Sequence, residues 1–244
     1  MSAPGRVRLG MLTPSSNTAL EPATAAMLAA VSGASAHFSR FRVTEIALDA
    51  GSNAQFDAAP MLAAADLLAD ARCHAICWNG TSASWLGIAR DRELCSAIEA
   101  RTRIPATSAV LSLLDAFASA GVRRYGLVTP YTPDVQAAIV AELARHGFDC
   151  TAERHAAVRV NFDFALLPVA DTAARIREVA ASRPDAVVVL CTNVDASALA
   201  ALIERETGVL VLDSIAVALW GAMRAAGADP RRVQGYGRLF HELR

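Results

Sequence analysis

Short apolar runs alternate along the chain with longer stretches in which apolar positions recur every three or four residues. That rhythm predicts buried strands separated by helices that cover them. Strands are predicted near Val7–Leu12, Arg42–Leu48, His74–Trp78 and Pro105–Thr107, and again near Tyr125–Thr129, Cys150–Glu153, Ala186–Cys191 and Val209–Leu212. Helices fill the intervals, for example Pro60–Asp70, Asp134–His146 and Thr172–Ala181, where alanine and leucine are frequent. The strand segments are continuous apolar runs, as expected of parallel strands covered on both faces.

The pattern is written twice. Gly10-Met-Leu-Thr-Pro14 matches Gly126-Leu-Val-Thr-Pro130, Ile98-Glu-Ala-Arg-Thr-Arg-Ile-Pro105 matches Ile203-Glu-Arg-Glu-Thr-Gly-Val-Leu210, and each half closes with a helix ending at Gly121 or Gly227. A repeat of roughly 110 residues is too long for a solenoid. The expected fold class is therefore α/β, with two pseudo-symmetric four-stranded parallel-sheet domains of flavodoxin or Rossmann-like type and the site in the cleft between them. Residues 1–107 with 214–244 would form the first domain and 108–213 the second.

Composition narrows the chemistry. The 244 residues are 54% hydrophobic with a formal net charge of -1, a mean hydropathy of +0.32 and a pI near 6.5. Dispersed, nearly balanced charge argues against a nucleic-acid footprint and for a small-molecule ligand. All 23 basic residues are arginine, so Schiff-base chemistry, pyridoxal phosphate and a lysine-bearing phosphate loop are excluded. The longest apolar run, Ile215–Met223, is far short of the roughly 18 residues that span a bilayer. With no signal-peptide pattern at the amino terminus, a cytoplasmic location is expected and no membrane partner. The five cysteines, Cys73, Cys77, Cys95, Cys150 and Cys191, form neither an even disulfide framework nor a zinc-like spacing. No metal and no cofactor are expected.

Chemistry is expected where strands end. His74-Ala-Ile-Cys-Trp-Asn-Gly-Thr-Ser82 and Ala186-Val-Val-Val-Leu-Cys-Thr-Asn193 are equivalent segments, yet one places Gly80 where the other places Cys191. A thiol on one side of a cleft and a glycine on the other would deliver a proton from one face only. Four loops should converge there: Pro14–Thr18, Gly80–Ser82, Pro130–Thr132 and Cys191–Asn193. Helix amino termini and backbone N–H groups in such loops suit a carboxylate, although Ser, Thr and Asn also serve as helix caps. Near helix amino termini Cys191 would have its thiolate stabilised and cycle between acid and base near neutral pH, from a reference pKa of roughly 8.5. Trp78, Trp85 and Trp220 are candidates for pocket walls or core. His37, His146, His155 and His241 fall in predicted loops or helix ends without an evident carboxylate or serine partner. Gly235-Tyr-Gly-Arg-Leu-Phe240 is set aside as a dinucleotide motif because it opens no βαβ unit.

Taken together, Pro-Ser-Ser-Asn-Thr at 14–18, Gly-Thr-Ser-x-Ser at 80–84, Pro-Tyr-x-x-Asp-Val at 130–135, Cys-Thr-Asn at 191–193 and Gly-Tyr-Gly-Arg-Leu-Phe at 235–240 resemble the aspartate/glutamate racemase superfamily. Within it, the resemblance is to the branch containing maleate cis-trans isomerase and arylmalonate decarboxylase, and it spans essentially the whole chain. Racemases and isomerases of the superfamily carry a cysteine in each half. Arylmalonate decarboxylase resembles this chain in having a glycine at the first position and one second-half cysteine. The resemblance implies that Cys191 protonates an enediolate while Gly80, Thr81, Ser82 and Tyr131 hold its carboxylate. Asn17, Thr192, Asn193 and Asn161 look like the maleate isomerase pattern, in which asparagines bind substrate carboxylates, and imply a second polar end on the substrate. A small carboxylate or dicarboxylate is thus the expected partner and a homo-oligomer is left open. The readings that remain are a carbon–carbon lyase, a maleate isomerase or racemase-type isomerase, an ectoine-utilisation-type protein, and a catalytically silent carboxylate binder.

Overall fold

The computed structural model describes residues 6–48, 51 and 55–243. Its eight strands are β1 (Val7–Pro14), β2 (Ala34–Phe41), β3 (Ala75–Trp78), β4 (Ala106–Ser108), β5 (Arg124–Thr129), β6 (Asp149–His155), β7 (Ala186–Val189) and β8 (Leu210–Asp213). They form two four-stranded sheets with the same order, β2-β1-β3-β4 and β6-β5-β7-β8, and every pairing within them is parallel. β3 and β7 are buried over their full lengths, which accounts for their unbroken apolar sequence. In each sheet the order reverses between the first and third strands. The loops that leave β1, β3, β5 and β7 therefore diverge there and open a crevice at the carboxyl ends of the strands.

The principal helices are α1 (Leu20–Leu28), α2 (Ala58–Asp70), α3 (Ala83–Leu86), α4 (Ala89–Thr102), α5 (Ala109–Ala120), α6 (Pro133–Arg145), α7 (Asn161–Phe164), α8 (Val169–Ala180), α9 (Ala200–Thr207), α10 (Ser214–Ala225) and α11 (Leu239–Glu242). No described helix is long and apolar enough to cross a membrane. The apolar run Ile215–Met223 instead lies in α10, where every residue from Ser214 to Met223 is buried. Although α10 follows the last strand of the second sheet, it packs on β3 and β4 of the first and against α5. In return α5 sets Phe117 against Tyr125 and Phe148 of the second half, with ring centroids 6.0 and 4.8 Å apart. The α5–α10 crossing is close enough to require glycine, since a Cβ on Gly221 would lie 1.9 Å from Ser112 Oγ.

One predicted strand is misplaced. Arg42–Leu48 is not a strand of the sheet; the edge strand is Ala34–Phe41. Its edge position lets it carry Ser35, His37 and Arg40, which disguise it, while the more apolar segment behind it crosses to the other half. There Glu45 forms an antiparallel bridge with Val160, Ile46 N–H donates to the Arg159 carbonyl at 3.2 Å and Asn161 N–H to the Thr44 carbonyl at 3.0 Å. The strand-like composition of residues 42–46 thus serves contact between halves.

Candidate active site

The four strand-end loops converge as the repeat predicts. A cavity of about 20 Å³ lies among them, walled by Gly80, Thr81 and Ser82 from the β3 loop, Tyr131 from the β5 loop and Cys191 with Thr192 from the β7 loop. Pro14, Val43, Ile46, Phe56, Trp78, Trp85 and Asn161 complete its lining. Of the predicted residues, Gly80, Thr81, Ser82, Tyr131, Asn161, Cys191 and Thr192 face this space; Asn17 and Asn193 stand behind its wall.

Cys191 is 3% exposed. Its sulfur accepts the Asn193 N–H at 3.3 Å and meets the Tyr131 hydroxyl. The expected lowering of its pKa does not occur. Burial outweighs the hydrogen bonds from Tyr131 and the backbone, buried Asp213 adds negative charge nearby, and the thiol is pushed up to about 12. Burial thus favours the neutral S–H over the thiolate at rest. Burial and the neighbouring thiol also drive the Tyr131 phenol well above its ordinary value, so both groups enter any reaction protonated. Tyr131 and Thr81 hydroxyls share a 2.7 Å hydrogen bond across the two halves, giving a pair of neutral donors beside the thiol.

The asparagines build the frame. Asn17 Nδ2 donates to the Thr192 carbonyl at 2.9 Å, and its Oδ1 accepts N–H bonds from Ala19 and Leu20 at 3.1 and 3.0 Å at the start of α1. Asn193 Oδ1 accepts N–H bonds from Thr18 and Ala19, while its Nδ2 donates to the Asn161 carbonyl. Asn161 Nδ2 donates to Ser16 Oγ at 2.7 Å, and Thr192 Oγ1 to the Asn79 carbonyl at 2.8 Å. These side chains clamp the β1 and β3 loops of one half to the β7 loop of the other. Their buried polar groups are satisfied by one another and by backbone, which fixes the distance between the halves.

Opposite the thiol, the first-half position is occupied in a way the sequence does not reveal. The Trp78 indole folds back over Gly80, so that a Cβ there would lie 2.0 Å from Cζ2. Cys77 does not substitute for a second thiol: it lies near Cys95 and Asp91 and does not line the cavity. Trp85 stacks edge-on against Tyr131 at 5.2 Å, whereas Trp220 is core, with Arg224 4.3 Å over its ring.

The histidines depart from expectation: His37 lies within β2 and pairs with Ser35, His146 approaches Glu142, and His155 approaches Glu153. All five cysteines are free, and no cluster of three or more metal-ligating side chains occurs among the described residues. Gly235–Phe240 runs from a loop into α11, where Arg238 N–H donates to Glu204.

The model of the arylmalonate decarboxylase family matches residues 9–240. An arylmalonate decarboxylase from Bordetella bronchiseptica is 32% identical over 167 residues, covering 67% of this chain and 69% of the relative. Among solved structures, a cysteine-to-serine mutant of Nocardia farcinica maleate cis-trans isomerase with a covalently bound succinylcysteine intermediate is 26% identical with a TM-score of 0.86, over 97% of this chain and 98% of that one. A liganded arylmalonate decarboxylase carrying glycine-to-cysteine and cysteine-to-serine changes shares the fold at a TM-score of 0.84 and 24% identity, over 97% and 99% of the two chains. With a family model spanning almost its whole length, the chain belongs to the arylmalonate decarboxylase family.

Proposed function

We propose that the protein is a cofactor-independent decarboxylase of a small malonate-type acid, in which Cys191 protonates the intermediate from one face. One carboxylate of the substrate accepts hydrogen bonds from the Thr81 and Tyr131 hydroxyls, with Ser82 beside them. The bond from the α-carbon to the other carboxyl group breaks, CO2 leaves, and the electron pair passes into the retained carboxylate as an enediolate. The donors that stabilise this charge are already in place, and each such group is worth on the order of 3–4 kcal/mol of barrier. The Cys191 S–H proton then moves to the α-carbon, and the resulting thiolate takes a proton from water. Asn17, Asn161, Thr192 and Asn193 hold the loops in register for this transfer.

The observation that carries the proposal is the single buried thiol, Cys191, lining a cavity whose opposite wall is Gly80 and an indole. A proton donor must be protonated at rest, whereas an adding thiol must first lose its proton. The likeness to a maleate isomerase trapped as a succinylcysteine raises a second reading, in which a cysteine adds to a carbon–carbon double bond and Cys191 would have to be that cysteine. Burial opposes the thiolate that addition needs, so we rank it below decarboxylation.

NMR in D2O with phenylmalonate, methylmalonate and maleate, comparing wild type with Cys191→Ala, separates these readings. Loss of CO2 with one deuterium at the α-carbon, abolished in Cys191→Ala, is expected. Conversion of maleate to fumarate without carbon loss would establish the isomerase instead, and full activity in folded Cys191→Ala would exclude both.

A further inference from the structure

A second cavity, of about 310 Å³, lies against the first-half wall of the reaction chamber and shares Phe56, Trp78 and Ser82 with it. Its body is apolar, formed by Phe56, Met61, Trp78, Leu86 and Leu94, and its volume is in the range of sites that hold small organic molecules. Asp91, in the first turn of α4, lines it. That carboxylate is 3% exposed. Among the described residues the Ser108 hydroxyl is its one side-chain hydrogen-bond partner, and its Oδ2 is buried without one.

An uncompensated buried carboxylate oxygen costs several kcal/mol, and nothing in the reaction proposed for Cys191 uses it. At the rim, Asp57 and Glu93 outnumber Arg90 among the charged lining residues, so the local field favours a cation. We propose that this cavity is a ligand site for a small amine, an apolar body ending in an ammonium group, with Asp91 as the group that recognises the charge. Phe56 and Trp78, whose ring centroids are 6.5 Å apart, line both this cavity and the reaction chamber. The ammonium can belong to a free amine or to the arm of an acid whose carboxylate is held at Thr81 and Tyr131. The site stands whichever reaction Cys191 performs.

The test is calorimetric titration of the full chain with 2-phenylethylammonium at pH 8, where Asp91 is ionised because burial raises it to about 7. Saturable binding is expected in wild type and in Cys191→Ala, weakened at least tenfold in Asp91→Asn. Ala97→Phe, which fills the cavity without touching the carboxylate, should weaken binding similarly and keeps the test available if Asp91→Asn fails to fold. 2-Phenylethanol, of similar shape but uncharged, should bind at least tenfold more weakly. Titrating Cys191→Ala with 4-(aminomethyl)phenylmalonate and with phenylmalonate distinguishes the two sources. A preference for the former that disappears when Asp91→Asn is added assigns the ammonium to the arm of the reacting acid; equal affinities, with phenylethylammonium still bound, assign it to a free amine. No binding of phenylethylammonium to wild type, or equal binding in wild type, Asp91→Asn and Ala97→Phe, would overturn the proposal. Loss of turnover in Cys191→Ala is read separately and bears only on the decarboxylase.

Discussion

Placing a second thiol opposite Cys191 is the natural way to ask whether the site acts from one face, and the structure predicts that Gly80→Cys alone is costly. The new Cβ would stand 2.0 Å from Trp78 Cζ2 and 2.5 Å from Cε2 and Cη2. Carbon pairs settle at about 3.5–4.0 Å, so the indole must withdraw by roughly 1.5 Å. It is fully buried and braced by Phe41, 5.1 Å away between centroids. Overpacking of this kind costs about 1–3 kcal/mol, which in a domain of this size lowers Tm by roughly 2–12 °C at about 2–4 °C per kcal/mol. Trp78→Leu is destabilising by itself because it leaves a void, but in that background Gly80→Cys should cost less than about 1 kcal/mol. The cycle should therefore show a favourable coupling of up to about 3 kcal/mol. Urea denaturation of the four proteins measures it, and chiral analysis of the product follows: racemisation is expected in the double variant before the single one. If Gly80→Cys unfolds at the wild-type urea concentration with an unchanged m-value, the indole is not the obstacle and the argument fails.

Tyr131→Phe removes the partner of Thr81 Oγ1, and kcat should fall on the order of 10²–10³-fold, the usual effect of deleting one preorganised donor; an unchanged kcat would remove Tyr131 from the reaction. Gly221→Ala should destabilise the fold by about 1–3 kcal/mol despite the better helix propensity of alanine, because its Cβ meets Ser112 Oγ at 1.9 Å. Ser112→Gly should recover most of that loss, and a lack of rescue in thermal denaturation would contradict the crossing. Burial holds Asp91 at about 7, above its ordinary 3.8, so the folded state retains this proton more firmly than the unfolded state does. Its contribution to stability is therefore lost as pH rises from about 4 through 7, with a slope of up to about 1.4 kcal/mol per pH unit. Denaturation of Asp91→Asn across that window should lack this slope; parallel curves would show that the carboxyl is not perturbed.

The parts of the molecule that were legible in the sequence are those set by burial on two faces. β3 and β7 read as uninterrupted apolar runs because both faces of each sheet are covered, and the repeated strand ends mark the four converging loops. Edge strand β2 was hidden by its polar outer positions, while residues 42–46 imitate a strand because Val43 and Ile46 are buried and the backbone runs extended against residues 159–161. The ionisation of Cys191 was misjudged because helix amino termini are visible in a sequence and desolvation is not. Trp78 could be suspected of lining a pocket, but not of covering Gly80, since that depends on one rotamer. Asp91 is marked in the sequence: with Leu94, Cys95 and Ile98 it occupies the buried stripe of α4 at the i, i+3, i+4 and i+7 positions, where a carboxylate is out of place.

The exchange of α10 onto the first sheet has a consequence for how the chain comes into being. During synthesis β1, β3 and β4 leave the ribosome long before residues 214–225 exist, so one face of that sheet has no permanent cover for roughly 100 residues of elongation. The first half is then an apolar surface waiting for the last eighth of the polypeptide, and chain release or truncation before α10 strands it in that condition. A gene fragment ending after β4 should therefore yield insoluble material, and the two halves should fold as one cooperative event although each repeats the plan of the other.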